Sequence, residues 1–358
     1  VTINSLSQIA GQGSAAVTQS SSGANNVMMN MMLDPANASR NDGAGEGAFT
    51  GAALGYAAAK RDGTDAFAAV DRRVSPFGER WSVWGSAYGG NSTVNGNTAA
   101  GTATTSSRSY GATAGVDYRV LPNTTIGFAL GGATINFNTD AVLSSGRSDI
   151  FQAGIFARHT MGAAYVSAAL AYSWQNVSTD RTVTVSGTDR LHAGFNANTF
   201  SARGEAGYRF ATAFAGLAPY AALQATTFML PGYSESATSG STTFAMVYSS
   251  NTTTSIRSEL GLRADKPFLV NDGIITVRTR AAWAHDSNTD RPVTAAFQTL
   301  STTTFAVNGA QASANAALVT AGVEMKWRNG WTVAGTFEGE FSSTTRSYAG
   351  KGTVKYGW

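Results

Sequence analysis

Residues 346–358 read RSYAGKGTVKYGW. Taken in steps of two, Trp358, Tyr356, Val354, Gly352 and Gly350 fall on one face, and Gly357, Lys355, Thr353, Lys351 and Ala349 on the other. A period of two marks a strand whose faces meet different surroundings. Here one face is apolar and ends in aromatics, and the other is charged. The same alternation fills the chain from about Trp81 onward. In GWTVAGTFEGEFSS (330–343) Trp331, Val333 and Phe337 oppose Glu338 and Glu340, and SIRSELGLRAD (255–265) sets Ile256, Leu260 and Leu262 against Arg257, Glu259, Arg263 and Asp265. FSARGEAGYRF (200–210) opposes Phe200, Tyr208 and Phe210 to Arg203, Glu205 and Arg209; AALVTAGVEMKW (316–327) opposes Val319, Val323 and Trp327 to Glu324 and Lys326. About twelve such runs occur, most long enough to cross a bilayer as tilted strands of roughly 9–11 residues.

Connections between the runs alternate in length. Ser/Thr/Asn-rich stretches such as NSTVNGNTAAGTATTS, STDRTVTVSGTDR, PGYSESATSGSTT and DSNTDRPVTAAFQTL read as long loops, and LPN, TMG and RNG as tight turns. Up-and-down outer-membrane barrels have this asymmetry, with long loops outside and short turns in the periplasm. On that reading Trp81, Tyr208, Phe210, Trp327, Trp331, Tyr356 and Trp358 form a periplasmic aromatic girdle, and Tyr172, Trp174 and Trp283 an external one. Trp84 has inward parity, which the pattern does not explain. Strands in hydrocarbon must satisfy their own backbone hydrogen bonds, so the sheet must close. The expected fold is an all-β membrane protein: a twelve-stranded antiparallel transmembrane barrel over 80–358.

Composition agrees. The 358 residues include 40 glycines and only 13% charged residues, about half the usual share for a soluble domain. No window reaches the apolar length of a membrane helix. Cysteine is absent, which excludes thiolate metal sites and cysteine nucleophiles. A net charge of +3 and no basic cluster give no reason to expect nucleic acid. No signal peptide opens the sequence, so the chain is expected to be processed or to begin inside a longer one.

Residues 1–34 do not alternate. Leu6, Ile9, Val17, Val27, Met28, Met31 and Met32 recur at helical spacing, and Pro35 ends the run. Gly11, Gly13 and the run 20–23 make this a poor isolated helix. Its Asn and Gln residues exclude lipid, so a helix from about Ile3 to Leu33 is expected to need a polar lumen. Residues 35–79, Gly/Ala-rich, read as a linker with one possible short helix in DAFAAVDRR.

LSQIAGQ and NNVMMNMMLDP, RWSVWGSAYGG as first strand, SDIFQAGIFARHTMGAAYVSAALAYSWQ and the aromatic end together resemble the β-barrel translocator domain of autotransporters (type V secretion), in particular an α-proteobacterial group. The resemblance covers essentially the whole chain. It implies a pore-spanning helix leading from an upstream passenger of the same polypeptide, anchoring of that passenger in outer-membrane lipid and lipopolysaccharide, and a monomer. It also implies insertion by the outer-membrane barrel assembly machinery, which reads Tyr356 and Trp358. A porin-like diffusion channel is the alternative, and a pore-length helix argues against it. Surface adhesion through the external loops stays open.

Eighteen charges carry inward parity: Asp117, Arg119, Arg158, Arg203, Glu205, Arg209, Arg257, Glu259, Arg263, Asp265, Arg278, Arg280, Glu324, Lys326, Glu338, Glu340, Lys351 and Lys355. They read either as a hydrated lumen that grips or passes a chain, or as groups that solvate one another. Asn25–Asn26 is the one candidate for bond-making chemistry. In some autotransporters an Asn side-chain amide attacks its own carbonyl at such a pair and releases the passenger; two unreactive helix-surface asparagines are the favoured reading here. His159, His192 and His285 are too scattered for a metal site, so no enzyme, metal or cofactor is expected.

Overall fold

A computed structural model describes residues 8–9, 11–34, 80–140, 143–289 and 292–358. Twelve long strands form one closed ring: β1 (Trp81–Val94), β2 (Thr105–Leu121), β3 (Thr124–Thr139), β4 (Ser144–Met161), β5 (Ala164–Val183), β6 (Asp189–Tyr208), β7 (Gly216–Leu230), β8 (Asn251–Val270), β9 (Gly273–Asp286), β10 (Asn315–Trp327), β11 (Trp331–Phe341) and β12 (Thr345–Gly357). Each strand is antiparallel to its neighbours in sequence. The ring closes where β12 meets β1, in a register from Ser82↔Gly357 to Val94↔Thr345. Trp81 and Trp358 complete the seam, the amide of each donating to the other's carbonyl at 3.1 and 3.0 Å. Closure leaves no ring edge unpaired, as hydrocarbon requires.

Side-chain alternation is the one the sequence implies. In β1 the residues from Trp81 to Tyr88 are exposed and buried in strict turn. The outward faces carry large apolar groups with nothing over them, among them Phe128, Ile155, Leu170, Leu223 and Val323. No helix among the described residues is long and apolar enough to cross a membrane; crossing falls to the strands.

Two sequence expectations change. STDRTVTVSGTDR is not a loop: β5 and β6 have 20 residues each and absorb most of it, because TVTV continues the two-residue alternation beyond the bilayer. PGYSESATSGSTT and DSNTDRPVTAAFQTL contribute to a second sheet of four short strands (233–234, 246–248, 293–297 and 304–307) that caps the external end. Phe195, Tyr233, Tyr248 and Val293 are buried in its core, with Tyr233 stacked on Phe195 and Tyr248 at 3.9 and 4.6 Å between centroids.

The helix α1 (Gly13–Leu33, 21 residues) lies inside the ring, about 32 Å long at 1.5 Å per residue. Gln8 and Ile9 are also helical, but Gly11 turns the chain at φ +70° between them and α1, so the helix is not one unbroken run. A Cβ at Gly11 would also lie 2.6 Å from the Tyr248 hydroxyl. At the other end Pro35 disfavours helical geometry at the residue before it, and Asp34 is extended at φ −62°, ψ 126°. Leu6, the linker 35–79 and DAFAAVDRR lie outside the described residues.

Candidate functional site

The lumen has two unlike walls, and α1 leans on one of them, formed mainly by β3, β4 and β5. Small or apolar inward residues make this wall. Met28, Met29, Met32 and Leu33 pack into a seat of Trp84, Ala129, Phe156, Ala169 and Ala171. Ala24 and Met31 pack against Tyr88, Ala133, Ile135 and Ile150, with Val27 at the edge. Methionine suits a seat built from small gaps, being unbranched and polarizable, and each buried Met contributes about 1.5–3 kcal/mol. Trp84 now has a role. Its indole nitrogen donates to Asp117 Oδ1 at 2.9 Å while its ring belongs to the methionine seat.

Halfway along, the contacts turn polar but stay uncharged. Ser21 donates to Gln175 Oε1 at 2.6 Å, and Ser173 donates to Asn25 Oδ1 at 2.6 Å. Gln224 Nε2 donates to Asn26 Oδ1 at 2.6 Å. Ser22 and Asn25 each donate to the carbonyl four residues back, at 3.0 Å, so the helix satisfies part of its own polarity. Asn25 is fully buried. Its amide nitrogen is engaged by the Ser21 carbonyl, and its other contacts, Ser173 and Gln152, are neutral. Among the described residues, no carboxylate is a hydrogen-bond partner of its side chain.

The opposite wall, chiefly β6 to β12 and joined near the short turns by Asp117 and Arg119 of β2, Arg158 of β4 and Tyr165 of β5, is an ion-pair lattice. Arg203 grips Glu259 with two bonds of 2.8 Å and reaches Glu205 at 3.2 Å. Arg263 joins Glu205, and Tyr165 donates to the same carboxylate at 2.9 Å. Arg209 pairs with Asp265 at 2.7 Å, Arg278 with Glu324 at 3.0 Å, and Arg257 with Glu340 at 2.8 Å and Asp286 at 3.1 Å. Lys355 lies 3.5 Å from Asp117, and Lys351 contacts Asp34 and lies 3.7 Å from Glu338. Arg158 lies over the Tyr165 ring at 4.7 Å, and Arg280 donates to Thr320 at 3.1 Å. Arg119 is buried and Lys326 exposed, both at the short-turn end. Between this lattice and the last turns of α1 is a cavity of about 520 Å³.

At the external end a clamp holds the chain as it leaves α1. Arg181 donates to the Gln8 carbonyl at 2.9 Å and is itself gripped by Glu235, which also accepts from the Tyr248 hydroxyl at 3.2 Å. Burial pushes the Tyr248 phenol well above its ordinary value, so it remains a donor. Gln8 accepts from Thr184, and Gln12 both donates to Gly101 and accepts from Ala103, at 2.6 and 2.9 Å. Ile9 packs on Val183, Leu191 and Ala245. Sequence reasoning missed Arg181 and Glu235, which lay in presumed loops. Gln152, Ser173 and Gln175 stood at inward parity in otherwise apolar strands, a signal that could have been read.

The aromatic residues are on the outer face. Trp81, Trp174, Tyr208, Phe210, Trp283, Trp331 and Trp358 are exposed and Tyr172, Trp327 and Tyr356 partly so. Trp81 packs on Tyr118 and Trp331 on Tyr356, at 4.5 and 5.0 Å between centroids. The histidines are apart, bonded to Thr124, Asp180 and Asn315 respectively. The described residues contain no group of three metal-ligating side chains.

Residues 83–338 match the family described as Autotransporter beta-domain. Among curated proteins, an extracellular serine protease of Serratia marcescens is 24% identical over 235 residues, 65% of this chain. The match spans only 22% of that relative's length. Among solved structures, the translocator domain of autotransporter NalP from Neisseria meningitidis superposes with a TM-score of 0.63 at 15% identity, covering 81% of this chain and 92% of that one. The β domain of the Bordetella autotransporter Brka gives 0.59 at 15% identity, covering 78% and 100%; the transport unit of AIDA-I from Escherichia coli gives 0.54 at 16%, covering 77% and 90%. At these identities the likeness is one of fold.

Proposed function

Because the chain belongs to the autotransporter β-domain family, we propose that α1 is the last stretch of an exported passenger, held in the barrel that delivered it to the cell surface. The domain is an outer-membrane translocator that exports and anchors a passenger polypeptide. One observation carries the role of α1: its N-terminal end, with Gln8 and Ile9 before it, lies under the external cap on the long-loop side. The C-terminal end, at Asp34, lies toward the short turns beside Lys351.

The units are a pore segment over 1–34, a linker over 35–79 and the barrel over 80–358. The inward charges act as a largely ion-paired wall rather than as individual catalysts, and Asn25–Asn26 stays intact. The chain works as a monomer in lipopolysaccharide-bearing outer membrane. Barrel assembly machinery recognises Tyr356 and Trp358, and the α-proteobacterial type is supported by LSQIAGQ and NNVMMNMMLDP. The passenger's own activity lies upstream. A porin reading finds no support in a lumen occupied along its length.

An epitope fused ahead of Val1 tests the reading. Labelling of intact cells, and its loss on external protease treatment with the barrel retained, is the expected result. An epitope reached only after the outer membrane is broken would overturn it. Trp358→Ser is expected to lower the yield of folded, heat-modifiable barrel several-fold, and an unchanged yield would remove the assembly role of that residue.

A further inference from the structure

Where β12 meets β1, the lipid-facing surface is almost bare of side chains. Gly350 faces Gly89, Gly352 faces Ala87 and Val354 faces Gly85 across the seam. A methyl group added at Gly85, Gly89, Gly350 or Gly352 would meet nothing within 4 Å. The result is a trough one strand pair wide, walled by Phe337 on β11 and Tyr110 on β2, both about half exposed. Such a trough would accept any acyl chain. What selects a particular lipid is at its upper end.

Two arginines stand there. Arg346, the second residue of β12, lies opposite Thr93, and Arg108 lies on β2 opposite Asn91. Each is exposed, on the same outward face as the trough, two residues beyond an exposed tyrosine (Tyr348 and Tyr110) that marks the outer edge of the apolar band. Neither forms an ion pair among the described residues, whereas the next cation along, Arg147, is engaged by Asp149 at 2.9 Å. The outward side chains between them, Asn91, Thr93 and Ser106, are neutral and can hydrogen-bond. Two strand spacings and one two-residue step put the arginine backbones about 12 Å apart. That separation suits two phosphates on one headgroup better than a single phosphate.

We propose that Arg108 and Arg346 bind the two phosphates of an outer-leaflet phosphoglycolipid whose acyl chains lie in the Gly85–Gly89–Gly350–Gly352 trough. The guanidinium fork matches phosphate geometry and stays charged at any working pH. Headgroup phosphates lie just above the apolar band, at the level of these side chains. The lipid would thus sit across the junction of the first and last strands and orient the barrel about its own axis. The proposal rests on the outer-membrane placement of the barrel, but its test separates the two.

Native mass spectrometry of the full chain in detergent micelles, titrated with bisphosphorylated lipid A, monophosphoryl lipid A and phosphatidylglycerol, reads the site directly. Each of Arg108→Gln and Arg346→Gln should weaken bisphosphorylated lipid A by about fivefold, and the double variant by about 25-fold. Removing one phosphate from the lipid should mimic a single variant. Gly89→Phe should block the trough with both arginines in place, and Arg190→Gln, on β6 away from the seam, should change nothing. A double variant that binds like the parent, or phosphatidylglycerol binding as tightly as lipid A, overturns the proposal. All variants are checked for heat-modifiable migration; a folded barrel that binds no lipid A refutes the site and leaves the membrane placement intact.

Discussion

The two walls of the lumen solve different problems with the same backbone. On β3–β5 the inward residues, apart from Arg158 and Arg181 near the two ends, are mostly alanines, glutamines, serines and aromatics that need a partner, and α1 supplies it. On β6–β12 they are arginines and carboxylates that largely pair with one another, and α1 touches them at few points. A charged wall without pairing would be costly in a confined lumen, and a neutral wall without the helix would be an apolar strip facing water. Position is therefore set by the neutral wall, and space is left by the charged one. The contrast suggests why one barrel can both pass and hold a chain: the lattice offers no fixed seat, and the methionine seat does.

Equal insertions into the two walls should give the largest contrast. Ala169→Phe drives a ring into the buried methionine seat, where overpacking cannot be absorbed. It should dislodge α1 and give channel openings in planar bilayers. Thr336→Phe projects into the cavity and should leave the chain as silent as the parent. Similar openings from both would erase the distinction between the walls.

Next in size is Trp84→Ala. Loss of the ring from the seat and of the indole bond to Asp117 should cost about 3–5 kcal/mol, read as frequent openings together with a lower unfolding temperature in detergent. A variant that is only thermally weaker, with no openings, would assign Trp84 to the barrel alone.

Smaller still is the effect of breaking the lattice. Glu259→Gln removes the carboxylate that Arg203 grips with two bonds and should lower the heat-modification temperature by several degrees without opening the pore. Exchange of the pair, Arg203→Glu with Glu259→Arg, should recover part of the loss, since contacting residues couple. Openings in Glu259→Gln would mean that the charged wall also positions the helix.

The barrel was legible because period-two alternation runs through most of the long strands, and because loop lengths and aromatics report the same orientation independently. Much of the site was not. Trp84 looked misplaced because its partners, Asp117 on the next strand and Met28 and Met32 on α1, come together only on closure. Arg181 and Glu235 are 54 residues apart and lay in segments whose polarity read as loop. The capping sheet is built from strands of two to five residues, too short for alternation to register. The lumen charges were visible one by one, but their division into a self-paired wall and a neutral wall depends on which strands face each other across the ring.

Planar-bilayer conductance of the full chain beside a version that begins at Pro35 tests the central claim most directly. The full chain should be nearly silent and the truncated barrel should conduct through a wide pore. Equal conductance from both would mean that α1 does not occupy the lumen, and the account of the two walls would fail with it.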